Sequence, residues 1–353
     1  MSDTAKLVID GTEADEKLTN DIAVIEYTDN DEYHADDLQI VTYNPAEWYG
    51  KETIEYTITD NDWHEISKAV EMKCGIFNID CIKRDDITGL YVIKAAAVPP
   101  GSTARQNKKS KAWERINLKE LGQQIAKQNG LNFLYATELN PIFKRKEQIE
   151  KSDILFLSEL CRATGLFLKF TANTIVIYNP YEYAEKEEKR TYSNGDANIQ
   201  GIELKKQKND TNYKKCRVTY LDPITKEKIE YIYKKENEGK MLDVTRKVSS
   251  TEEARLTAIY AIREKNWKEY CGKMTIDGDE EITTGTVIKI NGFGEHDGNY
   301  LVKKAIHTMR TGTDTTRIFF EKVAEGNNGL RDKEMYKNRG CTHGKRSRTN
   351  STS

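Results

Sequence analysis

Apolar and polar residues alternate at a period of two on both sides of one stretch where the period lengthens to that of a helix, and this ordering constrains the fold most. In Thr53 to Thr59, Ile54, Tyr56 and Ile58 alternate with Thr53, Glu55, Thr57 and Thr59, so one face is buried and the segment reads as a strand. Asp37 to Tyr43, Cys74 to Cys81 and Gly89 to Ala95 add β-rich runs, and no long helical stripe precedes Val98-Pro99-Pro100-Gly101. Residues 1–100 are therefore expected to form a β domain. The stretch Pro99 to Lys111, PPGSTARQNKKSK, is rich in Pro, Gly, Ser and Lys and marks a boundary.

The period then changes. Asn117 stands where an N-cap belongs, Glu120 follows three residues later, and Leu118, Leu121, Ile125 and Ala126 make an apolar stripe that stops at Asn129-Gly130. Ser152-Asp153 cap a second helix, with Ile154, Leu157, Leu160 and Cys161 on one face and Gly165 at its end. Each unit runs helix, glycine, strand, as QNGLNFLY and then ATGLFLKF, with the stop glycines 35 residues apart. Ala172-Asn173 turns the second strand into Thr174 to Tyr178. Residues 111–182 are expected to be a small α/β module.

After a charged connector, Tyr183 to Arg190, alternation resumes at Ile202 to Lys206, Cys216 to Leu221 and Ile229 to Tyr233. Ser250 and Glu253 have the spacing of a capping box and open a helix over 250–267 with a small-residue face at Ala254, Ala258, Ala261 and Ile262. Met274 to Ile276, Val287 to Ile290, Tyr300 to Ala305 and Arg317 to Phe320 read as strands again, so 190–325 is expected to be a second β domain holding one helix.

At 353 residues the chain has room for two or three domains. Its 55 basic and 57 acidic residues leave a net charge of -2, which supplies no overall field for nucleic acid or a membrane surface. The charge is polarised instead. Residues 1–62 carry 17 acidic residues against three lysines, whereas 331–353 carry seven basic and two acidic ones, a pattern that would orient copies stacking head to tail. No stretch has the roughly 18–20 apolar residues of a membrane helix, and the N-terminal segment lacks the layout of a secretory signal, so synthesis in the cytoplasm is expected. Six scattered cysteines form no CxxC pair and are expected to be mostly buried thiols rather than a disulfide or zinc framework.

Residues suited to chemistry are sparse. Five histidines, 34, 64, 296, 307 and 343, fall in no catalytic motif, and His296 and His307, flanking one strand, read as a turn residue and a strand-end residue. HExxH, GxSxG and Walker A patterns are missing, and Gly292-Phe293-Gly294 with Gly298 misses dinucleotide spacing and reads as a tight turn. Asp29-Asn30-Asp31, Asp60-Asn61-Asp62 and the group Asp277, Asp279, Glu280 and Glu281 offer oxygen ligands but lack the glycine and glutamate of a calcium loop, so solvated turn carboxylates are expected. No catalytic residue, metal or cofactor is expected.

Four segments in order, KAWERINLKELGQQIAKQNGLNF, DILFLSELCRATGLFLKFTANTIVIYN, EEARLTAIYAIREKNW and GTVIKINGFGEHDGNYLVKKAIHT, together resemble the late control protein D family. These are baseplate hubs of contractile phage tails and phage-tail-like bacteriocins, and hubs of PBSX-like particles are the most similar. The resemblance implies an α+β, mainly β fold: two tube-type β-barrel domains, 1–100 and 190–325, with the α/β insert 111–182. It implies a homotrimer whose six β domains match a hexameric tail tube on one side and a threefold central spike on the other. The tail tube protein, the spike, and baseplate and tape-measure proteins are the implied partners, with no membrane and no sequence-specific nucleic acid. The product would be assembled into a virion baseplate or tail-like particle. The basic tail 326–353 would contact partners through Arg331, Lys333, Lys337, Arg339, Lys345, Arg346 and Arg348. Two alternatives are a particle-borne cell-wall hydrolase, which needs paired carboxylates or a Cys and His in reach, and a DNA-binding accessory protein.

Overall fold

Strands β1 (Thr4–Ile9), β2 (Thr12–Glu13), β3 (Ile22–Asn30), β4 (Asp37–Thr42), β5 (Thr53–Asp60), β6 (Val70–Arg84) and β7 (Tyr91–Ala96) lie in the first hundred residues, with a short α-helix, Glu16–Asn20, and a 3-10 turn, Ala46–Trp48, among the described residues. The structure, a computed structural model, describes residues 4–31, 34–60, 70–97, 107–171, 173–223, 225–310 and 312–323. The middle segment holds β8 (Lys109–Asn117), β9 (Asn132–Ala136), β10 (Ile142–Lys151), β11 (Phe167–Thr171) and β12 (Thr174–Tyr178). Then come β13 (Arg190–Ser193), β14 (Ile199–Lys206), β15 (Lys215–Leu221), β16 (Lys228–Lys234), β17 (Met241–Thr245), β18 (Tyr270–Asp277), β19 (Val287–Asn291), β20 (Gly298–Arg310) and β21 (Thr313–Lys322). The protein is mainly β.

One thirteen-stranded sheet contains two copies of a single plan. In the first module hydrogen bonds run β3-β4-β7-β6-β5-β1, and in the second β14-β18-β21-β20-β19-β13. With β1, β3, β4, β5, β6 and β7 set against β13, β14, β18, β19, β20 and β21 in chain order, the two paths are the same. The equivalence extends to register. The β3–β4 ladder skips a residue between Ile22 and Val24, and β14–β18 between Ile199 and Gly201. The β6–β7 ladder skips between Ile79 and Cys81, and β20–β21 between Val302 and Lys304. Four residues before each of the latter skips stands a glycine at positive φ, Gly75 at 116° and Gly298 at 135°. At the skip itself Ile79 N–H donates to Glu52 O and Val302 N–H to Thr286 O, each at 2.9 Å. A bulge bends and twists its strand, so both sheets are bent at matching places. Equivalent core positions are filled by Ile40 and Met274, Ile54 and Ile288, Phe77 and Tyr300, and Ile93 and Ile318, all buried. One pair differs: β1 meets β5 antiparallel, whereas β13 meets β19 parallel.

The middle segment folds as a β8–β10 ribbon and a sheet ordered β11-β12-β9, with β9 parallel to β12. Its helices, Leu118–Gln128 and Asp153–Thr164, are set by local chemistry. Asn117 accepts from Glu120 N–H at 2.8 Å, Ser152 accepts from Leu155 N–H at 3.3 Å, and Gly130 and Gly165 follow the helices at φ +67° and +71°. Strands β15, β16 and β17, which alternation alone placed with the second β region, form a separate sheet ordered β16-β15-β17 between β14 and β18. They bury Cys216 and Val218 against Ala254, Ala258 and Ile262 of the helix Thr251–Trp267 instead of joining the large sheet. Ser250 caps that helix through Glu253 N–H, and the return bond from the Glu253 carboxylate reaches Ser249 N–H rather than Ser250.

Candidate assembly site

The two modules share a joint. Gly298 to Leu301 of β20 pair with β19, and Lys304 to Arg310 pair antiparallel with Asn30 to Val24 of β3, while β21 lines the opposite edge. Beside the joint lies a charged cluster drawn from three parts of the chain. Asp29, Asp31 and Asp36 come from β3 and the residues after it, and all three are buried. Lys169, from β11 of the middle segment, binds the Asp29 carboxylate, lies 3.8 Å from Asp36 Oδ1 and donates to Thr284 Oγ1 at 2.8 Å. Thr284 N–H donates to Asp29 Oδ2 at 2.7 Å, and Asn30 N–H donates to Asp36 Oδ1 at 3.0 Å. Lys303, the residue skipped at the β20 bulge, reaches Asp31 Oδ2 at 2.6 Å with its ammonium 4.1 Å from the Phe167 ring centre. Tyr178 donates to Asp31 as well, and Ala35 bridges to Phe170.

Buried carboxylates are tolerated only when paired and hydrogen-bonded, so this cluster forms only when the first module, the middle segment and the second module are all in place. Burial acts to lower the Lys169 pKa, yet Asp29 and Asp36 outweigh it and hold the ammonium above the ordinary lysine value. The site is a lock that fixes three parts of one chain. The sequence reading placed Asp29-Asn30-Asp31 in a solvated turn; the structure corrects this, because cations supplied from about 140 and 270 residues downstream repay the desolvation.

No protein-family model matches the chain, and no curated protein matches it by sequence. Solved structures do match. A tail protein from Neisseria meningitidis MC58 superposes with a TM-score of 0.68 at 10% identity, over 91% of this chain and 97% of that one. The 43 kDa tail protein of prophage MuSo2 from Shewanella oneidensis gives 0.67 at 12% identity, over 90% and 98%. This chain has the fold of phage tail proteins. The E. coli c3393 protein, a type VI secretion component described as structurally similar to the T4 bacteriophage tail proteins gp27 and gp5, matches with a TM-score of 0.52 at 11% identity, over 91% and 77%.

Within this tail-protein fold the titratable groups are engaged in structure. His307, on β20, is buried with Nδ1 3.2 Å from Thr316 Oγ1 and its ring stacked on Tyr27 at 5.9 Å between centres. Burial, opposed in part by Asp29, pushes its pKa down to about 4. The unfolded chain therefore takes up this proton near pH 6.5 while the native state refuses it until about 4. Stability is whole above 6.5 and is expected to fall by about 2–3 kcal/mol by pH 4.5 through this residue. Urea unfolding of wild type and His307→Phe at pH 7.5 and 4.5 checks this: the variant should lose less stability on acidification, and equal losses would exclude His307 as the cause.

Asp279 and Glu281 both bind Arg190, and Asp277 accepts from Gln200, so the acidic loop is tied to its neighbours. Asn61 and Asp62, like His64, lie outside the described residues. No group of three or more His, Cys, Asp or Glu gathers as a metal site among the described residues. Burial raises the Cys74 and Cys161 thiols well above their ordinary value, while Cys81 is exposed. An open groove of about 720 Å³ runs between Leu155 and Arg162 on one side and Arg246 and Lys247 on the other. Its charges are partly spent on each other, Lys146 on Glu253 and Lys247 on Glu147. Among the described residues no helix is long and apolar enough to cross a membrane. Arg331, Lys333, Lys337, Arg339, Lys345, Arg346 and Arg348, the expected partner contacts, lie outside the described residues.

Proposed function

We propose that the chain is a structural baseplate hub of a contractile phage tail or tail-like particle, without catalytic activity of its own. Three copies would present six equivalent modules to a hexameric tail tube and a threefold face to the central spike, with baseplate and tape-measure proteins as further partners. The carrying observation is the duplicated strand path with matching bulges, because a repeated module inside one polypeptide is what lets a threefold ring meet a sixfold one. In that assembly each module serves as a tube-type barrel domain. Supporting this, β13 and β14 end the second module's path yet are joined by residues 194–198. A link this short spans at most about 20 Å, whereas the outer strands of a flat six-stranded sheet stand about 24 Å apart, so that module curls. The fold shared with the tail proteins of Neisseria and Shewanella and with the type VI component is the second support.

Native mass measurement and particle imaging of the full chain with its tube protein test the reading. A trimer seated on the end of a hexameric tube is expected. A monomer that leaves the tube end bare removes it.

A further inference from the structure

The joint inside the chain has two unfilled counterparts. By the register equivalence, β6 corresponds to β20 and β14 to β3, with Cys81 matching Lys304 and Leu204 matching Tyr27. In β20, the residues after the bulge pair on both edges, with β21 and with β3. Among the described residues, the matching part of β6, Cys81 to Arg84, pairs with β7 alone, because β5 stops opposite Asn78. Strand β3 has β4 and β20 as neighbours, whereas among the described residues β14 has only β18. Burial agrees: the last five residues of β3 are buried or half-buried, while Gln200, Glu203 and Lys205 of β14 and most of Asp80 to Arg84 are exposed. Each copy thus carries one half of the joint on β6 and the other half on β14, and within the chain these two strands do not pair with each other.

Beside the bulge, charge supports the same match, while further along the register sets Lys83 opposite Lys205. The internal joint is closed beside its bulge by Lys303 and Asp31, 2.6 Å apart, and Asp31 N–H donates to Lys303 O. Their equivalents are Asp80 and Lys208, the same opposite-charge pair with the signs exchanged, and both are exposed.

We propose that the free edge of β6 in one copy pairs antiparallel with the free edge of β14 in the next, placing Cys81 opposite Gln207, Ile82 opposite Lys206 and Arg84 opposite Leu204, with Asp80 on Lys208. This rests on the hub reading above, and names its protomer contact. The contact is heterologous, so repeating it either closes a ring or runs on as a filament; closure leaves no strand edge of this kind exposed. The hairpin tip after β6 carries Ile87, which is 96% exposed, and continues along the same edge, where the next copy would cover it.

Two measurements on the full-length chain test it. Residues directly opposite in an antiparallel pair lie within disulfide reach, so Gln207→Cys should give covalent trimers through native Cys81 on mild oxidation, and adding Cys81→Ser should abolish them. Asp80→Lys and Lys208→Asp should each weaken association about ten- to a hundredfold, and the double variant should recover most of it. Both positions are exposed, and circular dichroism checks that the single variants stay folded. A native-mass trimer that neither cross-links nor responds to the charge exchange overturns the joint and leaves the hub reading standing. A chain that stays monomeric beside its tube protein overturns both.

Discussion

Replacing Lys169 by methionine is expected to destabilise the fold by about 3–5 kcal/mol, the cost of leaving buried carboxylates without their cation. Asp29 and Asp36 are 2% and 0% exposed, and water has little access to replace what Lys169 supplies. Methionine keeps the volume and removes the charge, so the loss reads electrostatics and hydrogen bonding rather than a cavity. Equilibrium urea unfolding at pH 7.5 measures it. Adding Asp29→Asn should return part of the loss, since the repulsion between Asp29 and Asp36 goes with it, and the coupling in that double-mutant cycle is the sharper test. A loss below about 1 kcal/mol would place Lys169 among the weak surface pairs instead. The folded pKa lies above the ordinary lysine value, so the contribution is whole below about 10.5 and lost only in stronger alkali. Lys169→Met should therefore flatten the alkaline limb of the stability profile.

Gly165→Ala carries the second large effect, about 2–5 kcal/mol. Gly165 stands at φ +71°, where a side chain costs about 1–2 kcal/mol, and its added Cβ would lie 1.9 Å from Tyr260 Cδ1. Tyr260 is buried on the helix Thr251–Trp267 and stacks on Tyr181, so it cannot step aside without parting two helices, an overpacking strain of about 1–3 kcal/mol. Gly130→Ala is the control. It has the same helix-ending role and φ +67°, but nothing lies within 4 Å of its added Cβ, so only the conformational cost of about 1–2 kcal/mol should appear. Equal melting shifts for the two variants would contradict this packing account.

These two glycines show where sequence reading stops. QNGLNFLY and ATGLFLKF announce the same local event, and the caps at Asn117, Ser152 and Ser250 are equally legible because their hydrogen bonds span only a few residues. What distinguishes Gly165 is Tyr260, 95 residues away, which no local pattern contains. The duplication is hidden for a related reason. IAVIEYTDN of β3 and IQGIELKKQ, which begins β14, share three residues in register, since alternation demands only that inward positions be apolar. The charged lock was read as a solvated acidic turn because Asp29 and Asp31 look alike in sequence whether water or Lys169 and Lys303 surround them.

By itself the sequence determined where the longer helices are capped and that several alternating runs are strands, that helical period interrupts a β chain, and that no recognised catalytic motif is present. Those are properties of neighbours along the chain, governed by periodicity and by bonds a few residues long. Only the tertiary structure decided that β20 joins β3, that two modules share one strand path and its bulges, that β15 to β17 stand apart, and that three aspartates are buried. Each of these depends on which distant segment occupies an edge or supplies a counter-charge, and pairing across hundreds of residues is selected by the balance of burial and desolvation over the whole fold.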